Sequence, residues 1–449
     1  MASTEHGKAA ARDAIVSVDL AGEAAPTEPT AAEDALVLTA TPVVVSSLGE
    51  YTKVWLKRLR SGESGILPVL LGLIAIVVYF QVQNSLFLSA GNLVNLMTQA
   101  AFIVTFGMAE VFVLLLGDID LSVGYNAGLG GVIVAWMLSL NHPYPLWLAV
   151  IAGLAFSATF AGIQGVIITW LRLPAFIVTL AGYLGGYGLL LYLIDLAAPN
   201  SGGTIRLSNS MLIDIEYGSL SAVASWIVMA LVVLLTAAYM IFRDGRRRRS
   251  NLAAPPASVT ILKVALMAVA GVVVVLISNI NRSNGANAIE GVPWVVVLLL
   301  ALLVVYTVLL NRTRFGRYIY AIGGNAEAAR RAGINVRRIR IIAFVLAGLT
   351  AAITGIIYTS YLGSISNNIA GGTYVLYAVA AAVIGGTSLF GGRGSMIGAV
   401  LGGLIVGAIY NGLQLLGFGP AAQNIWTAAV LLAAVALDAV ARRGSTASR

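Results

Sequence analysis

The sequence predicts an all-α polytopic membrane protein, and three observations predict it. Of its 449 residues, 59% are apolar and only 10% charged, a balance foreign to soluble domains. The apolar residues gather in windows of about the 20 residues that a ~30 Å hydrocarbon core requires. Lysine and arginine fall almost entirely between alternate windows, as they do where loops are retained in the cytoplasm. The absence of cysteine, with His6 and His142 as the two histidines, excludes a disulfide framework and thiolate metal sites and leaves little for imidazole chemistry. No metal site, no cofactor and no enzymatic activity are therefore expected.

Residues 1–48 are rich in Ala, Glu, Thr and Pro and contain no apolar run long enough for a signal-peptide core, so they read as a disordered cytoplasmic tail. Residues 49–443 read as the transmembrane domain and 444–449 as a short C-terminal tail. About 12 candidate helices lie near 66–83, 96–116, 121–140, 146–171, 174–197, 220–242, 260–280, 293–311, 341–361, 373–391, 396–416 and 424–441. The third and tenth are glycine-rich and read as broken or re-entrant, which a membrane tolerates only where protein encloses them. With the N-terminus inside, every Lys and Arg except Arg206 and Arg282 falls on the cytoplasmic side, so both termini are expected there. The +8 formal charge thus reports topology and the lipid bilayer, not nucleic acid. Two inner loops stand out, a basic one at 243–252 and a longer one at 312–340.

Within 312–340, Asn325 is an expected N-cap, Glu327 stands in the first turn, and Gly333 occupies the C′ position. A helix of about two turns gains at most ~0.5 kcal/mol from a Glu327–Arg331 pair, so it must dock on something. Ala328, Ala329 and Ala332 offer a small-residue face. Arg330 and Arg331 offer donors to a partner's carboxylates or to anionic lipid.

Several polar residues fall at membrane depth: Gln99, Glu110, Asn126, Gln164, Thr179, Tyr183, Tyr358, Asn411 and Gln414. Each reads either as a helix-to-helix hydrogen bond or as a contact along a pathway. Glu110 is the sharpest case, because an ionised carboxylate in mid-span costs roughly 2.5–3.5 kcal/mol and must be paired, protonated or facing water. Asp118, Asp120 and Ser122 lie in the loop that follows. There, Asp120 is either the cap of the third span or, with Asp118 and Ser122, part of an inner gate. "GDIDLSVG" (117–124) and "GGTSLFGG" (385–392) share a G-x3-L-x2-G frame, the mark of a remote repeat.

Glu327-Ala328-Ala329, three residues and then Gly333 resemble the EAA-x3-G loop of bacterial ABC-importer permeases. The block "FGRYIYAIGGNAEAARRAGINV", with "DIDLSVG", "IGGTSLFGGRGSMIGAVLGG" and "YNGLQLLG", resembles the permeases for ribose, galactose and xylose. The basic stretch "FRDGRRRRSNL" and the acid at Asp118 are most similar to the xylose-type members. The chain departs from the wider pattern in lacking the Leu-Pro that often ends the loop, and from ribose-type members in having Asp118 in place of glycine. No lysine lies in a G-x-x-x-x-G-K-[ST] phosphate loop.

The resemblance implies a permease subunit in the bacterial cytoplasmic membrane, with the pathway built from two copies. An ABC ATP-binding subunit would be coupled through Asn325, Glu327, Ala328, Ala329, Arg330, Arg331 and Gly333, and an extracytoplasmic sugar-binding protein would deliver a monosaccharide such as xylose. The same family frame accommodates another sugar, a polyol or a furan-type ligand. A major-facilitator-type secondary transporter also has about twelve spans and a basic central loop, but it expects a basic motif where this chain has "GDID".

Overall fold

The computed structural model describes residues 67–429 and Leu432, apart from 140–143, 200–201, 208, 251–253, 284–287, 368 and 370. The acidic tail, the C-terminal tail and most of the last candidate span lie outside the described residues. In chain order the elements are α1 (Leu67–Gln83), α2 (Ala90–Leu114), α3 (Val123–Met137), α4 (Leu146–Leu171), α5 (Ala175–Ala197), β1 (Thr204–Arg206) and α6 (Ser210–Tyr217). They continue with α7 (Ala222–Arg249), α8 (Ala257–Ser278), α9 (Trp294–Arg312), α10 (Arg314–Gly324), α11 (Ala326–Arg331), α12 (Val336–Leu362), β2 (Ser364–Ser366), α13 (Gly371–Ile384) and α14 (Met396–Leu415).

Among the described residues, eight helices are long and apolar enough to cross a membrane: α2, α4, α5, α7, α8, α9, α12 and α14. Three more are apolar but shorter, α1, α3 and α13. At ~1.5 Å per residue, the 15 residues of α3 and 14 of α13 fall short of a ~30 Å core. These are the third and tenth candidate spans; an irregular loop precedes α3 and another follows α13.

Burial sorts the long helices into two layers. In α2, 83% of the apolar window is enclosed by protein, against 6% in α7 and 11% in α8, so α2 is central and the α7–α8 pair presents its apolar surface outward. α12 packs on α2, α3 and α4, while α14 packs on α1, α2 and α13. The short helices α3 and α13 are thereby enclosed by long ones. Their backbone ends find protein partners in place of lipid, the condition that irregular backbone must meet inside a bilayer.

The architecture is helical as expected, with one expectation corrected and two details added. A minor strand pair joins two connections: β1 and β2 pair antiparallel, Thr204 opposite Ser366 and Arg206 opposite Ser364, tying the segment after α5 to the one after α12. Residues 243–249, read as loop, continue α7 as helix to Arg249, since the arginines are good helix formers and lie at the end the helix dipole favours for cations. The 312–340 segment holds an additional amphipathic helix, α10, with Ile319 and Ile322 buried.

Close helix approach rests on small residues. A Cβ at Gly355 of α12 would run into the carbonyl oxygen of Ala127 in α3, a backbone obstacle that cannot rotate away. Gly355→Ala is expected to cost about 1–3 kcal/mol, as overpacking does, and to lower the melting temperature in detergent. Gly245→Ala, where nothing lies within 4 Å, is expected to be neutral or stabilising by up to ~1 kcal/mol.

Candidate functional site

Two polar centres sit along α2, with aromatic rings between them; the first reaches the surface at Gln414 and the second is buried. The first is an amide chain. Asn92 Nδ2 donates to Asn411 Oδ1 at 2.9 Å, Asn411 Nδ2 to Gln99 Oε1 at 3.0 Å, and Gln99 Nε2 to Gln414 Oε1 at 3.1 Å. This links α2 to α14 and brings Gln99, Asn411 and Gln414 together. Sequence reading missed Asn92, because it lies before the apolar window, in helix that Ser89 caps through its side chain.

Phe102 follows on α2, its ring 5.3 Å from Tyr358, 5.6 Å from Tyr374 and 6.5 Å from Tyr410. The Tyr374 hydroxyl donates to that of Tyr358 at 2.8 Å. Tyr358 thus belongs to an aromatic cluster that bridges α2, α12, α13 and α14. Tyr183 lies apart from it, stacked edge-on against Tyr125 at 4.8 Å.

The second centre lies at the other end of α2. Glu110 is fully buried, and its Oε1 accepts the Asp120 backbone N–H at 3.1 Å. Asp120 Oδ1 accepts both the N–H and the hydroxyl of Ser122, at 2.8 and 2.6 Å. Gln164 Nε2 donates to the Ser122 hydroxyl oxygen at 2.9 Å, and the Thr179 hydroxyl donates to the Ile119 carbonyl at 3.0 Å. Asp120 therefore does not cap α3. Ser122 holds the N-cap position without a side-chain cap bond, and Asp120 folds the loop on itself in an Asx-type turn. Asn126 stands apart, cross-linking α3 to α4 through the Ser157 carbonyl. One carboxylate oxygen each of Glu110 and Asp120 has no hydrogen-bond partner among the described residues.

Asp118 reaches across to α12, where Arg340 Nη2 donates to Oδ1 at 2.9 Å and Nε stands 2.7 Å from Oδ2. Burial raises the Asp118 carboxyl above its usual range, and the Arg340 guanidinium pulls it partway back. Burial likewise raises Asp120, against the opposing bonds from Ser122. The repeat frame has a structural counterpart here. Ser388 accepts the Phe390 N–H at 3.0 Å at the same frame positions where Asp120 accepts Ser122. The two loops also touch, the Gly392 N–H donating to the Leu115 carbonyl at 2.9 Å.

The 312–340 segment rides on these loops. Thr313 caps α10, accepting the Gly316 N–H; Tyr320 donates its hydroxyl to the Gly394 carbonyl at 2.8 Å; and Gly323 lies against Leu115 and Gly392 so closely that no Cβ fits. Asn325 then caps α11 by accepting the Ala328 N–H. The helix ends as a Schellman turn, with Gly333 at φ 84° and the Ile334 N–H bonded to the Ala329 carbonyl. Asn325, Glu327, Ala328, Arg330, Arg331, Ala332 and Gly333 are exposed, while Ala329 alone is buried. The expected small-residue face is thus divided, with Ala329 turned inward. Arg330 and Arg331 both pair with Glu327, at 2.6 and 3.2 Å, which holds its carboxyl below the usual range.

Sequence reading also passed over Glu216, on the short helix α6 outside the long apolar spans. It is 3% exposed and neither carboxylate oxygen has a hydrogen-bond partner among the described residues. It lines a cavity of about 660 Å³ with Asn95, Thr98, Arg282 and Tyr361. Burial pushes its carboxyl up to about 9.

Long apolar helices enclosing two short ones, with polar side chains between them, are the frame of a membrane-embedded transport permease. The family model for the branched-chain amino acid transport system / permease component matches residues 92–435, and the chain belongs to this family. The xylose transport system permease protein XylH of Escherichia coli (strain K12) is 35% identical over 86% of this chain and 95% of its own. XylH of Haemophilus influenzae is 34% identical over 85% and 98%. The ribose import permease protein RbsC of Escherichia coli (strain K12) is 31% identical over 89% and 98%. No solved structure matches the chain. The protein is a multi-pass protein of the bacterial cytoplasmic membrane, among relatives that are transport subunits and not enzymes. No group of side chains able to hold a metal occurs among the described residues.

Two outcomes test these centres. Removing Arg340 leaves Asp118 buried without its counter-charge. Arg340→Ala is expected to destabilise by an amount between the ~1 kcal/mol of a surface pair and the ~3–5 kcal/mol of a fully buried one. The double variant with Asp118→Asn should recover much of that loss in a double-mutant cycle.

Glu216 gives a pH dependence of definite sign. Its folded value lies above the usual 4.5, so its share of stability is full below pH 4.5 and is lost as pH rises through about 9. The melting temperature should fall over that range, and Glu216→Gln should flatten the fall. An unchanged slope in the variant would assign the dependence to other groups.

Proposed function

We propose that this chain is the membrane-spanning subunit of an ATP-driven importer and forms the path for a monosaccharide, a pentose such as xylose. The names of the relatives at 34–35% identity support the pentose, and the ribose permease at 31% is less similar. An ATP-binding subunit docks on α11, an extracytoplasmic sugar-binding protein delivers the substrate, and two copies of the chain make the pathway. Both termini lie in the cytoplasm, and the path runs along α2.

The observation that carries this reading is the placement of α11. A two-turn helix has little stability of its own, yet this one is closed at both ends by its own caps, exposed on nearly every side chain, and joined to parts that contact the buried loops. α10 rests on Leu115, Gly392 and Gly394, and Arg340 of α12 grips Asp118. A force applied at Glu327 therefore reaches Asp118, Asp120 and Glu110 through packed and ion-paired parts. The Glu327–arginine pairs keep charge of both signs at the surface for exchange with a partner.

Uptake of radiolabelled pentoses and hexoses tests the reading in cells that carry the permease with its ATPase and binding protein. Selective pentose uptake is expected, and Glu327→Ala is expected to reduce it at least tenfold with the permease still in the membrane. A tenfold loss corresponds to about 1.4 kcal/mol of coupling. Uptake that ignores the substitution and needs no ATPase would overturn the coupling; hexose preference would overturn the substrate alone.

A further inference from the structure

The arginine run at the end of α7 plays no part in the coupling segment or the polar centres, yet it lines a cleft of its own. That cleft, of about 690 Å³, lies between the ends of α7 and α9 and is lined by Tyr239, Phe242, Arg243, Arg246, Arg247 and Arg312. Arg243 is neutralised by Asp244 at 2.8 Å. Asp244 is itself held by the Thr260 hydroxyl of α8 at 2.7 Å. The Arg312 guanidinium stands 5.3 Å over the Tyr239 ring, which draws α9 to α7 and turns its charge toward the cleft. Among the described residues Arg246, Arg247 and Arg312 make no ion pair within 4 Å, and Asp244, already bound to Arg243, is the acid whose field reaches Arg247.

We propose that this cleft binds the phosphate-bearing headgroup of an anionic phospholipid. Two features favour a lipid over a free phosphate. Tyr239 and Phe242 are 48% and 69% exposed on the helix of which only 6% of the apolar window is enclosed by protein, so an acyl chain has a surface to lie on directly beside the cations. The cleft is also far larger than a lone phosphate needs. Basic pockets between spans on the cytoplasmic side are suited to such headgroups, and guanidinium groups meet phosphate oxygens in pairs. Arg312 is the residue before Thr313, the cap of α10, so a lipid held here braces the end of α9 where the coupling segment begins.

The test uses the full chain, purified in detergent and delipidated, and titrates it with short-chain phosphatidylglycerol, short-chain phosphatidylcholine and inorganic phosphate while reading thermal stability. Phosphatidylglycerol is expected to stabilise at the lowest concentration. The variant Arg246→Gln/Arg247→Gln should need a roughly 25-fold higher concentration, about fivefold for each arginine lost.

Arg248→Gln/Arg249→Gln removes equal charge from outside the cleft and is expected to bind as wild type does. Loss of affinity in both pairs alike would reduce the effect to general surface charge and overturn the site. Equal effect of phosphatidylcholine would overturn the role of charge, and equal effect of inorganic phosphate would overturn the lipid as occupant. Mass spectrometry of phospholipid retained before delipidation supplies a second reading that does not depend on stability, and equal retention in the cleft variant would likewise overturn the proposal.

Discussion

Inside a bilayer every backbone N–H and C=O must find its partner within the protein, and in this chain that constraint bears hardest on α3 and α13. Both are too short to cross, and both adjoin irregular loops. The fold meets the constraint by surrounding them with α2, α12 and α14. Side chains with oxygen to spare supply what the missing helical turns would have supplied. Glu110 takes the Asp120 N–H, Asp120 takes that of Ser122, and Ser388 takes that of Phe390. Polar groups that would be costly in lipid are thereby used as backbone partners.

The same enclosure packs the loops after α2 and α13 against each other. Leu115 accepts from Gly392, and Gly323 rests against both. The two glycine-framed loops and α10 therefore share one packed junction. Asp118 and Arg340 add a charged contact between that junction and α12, at a depth where water screens it only in part. Tertiary contact also gives α11 an order that its length alone would not, through buried Ala329 below and its caps at either end.

The polar residues of the spans divide by what they touch. Gln99, Asn411 and Gln414 satisfy one another across α2 and α14, and Asn126 ties α3 to α4, so these hold helices together. Glu110, Asp120 and Glu216 keep carboxylate oxygens without partners among the described residues. A buried acid in that condition is a cost that packing alone does not explain. The arginines divide in the same way: Arg330 and Arg331 pair with Glu327 and Arg340 with Asp118, while Arg246, Arg247 and Arg312 line the cleft between α7 and α9.

Much was legible in the sequence because it is local. Hydropathy placed the eight long and three shorter apolar helices of the described residues, and the Asn325, Glu327 and Gly333 spacing located a short capped helix, since a cap needs only neighbours within four residues. The glycine content of the third and tenth windows marked them as unusual for the same reason. The sequence could not show that α7 carries its helix through the arginines, that α10 exists, or that Ala329 turns inward, because those outcomes depend on which surface lies alongside.

Nor could it show Asp118 meeting Arg340, or Asn92 joining Asn411, contacts that span 222 and 319 residues. Pairing at that separation is decided by how the helices pack, and so only the tertiary structure assigns each buried polar group its partner.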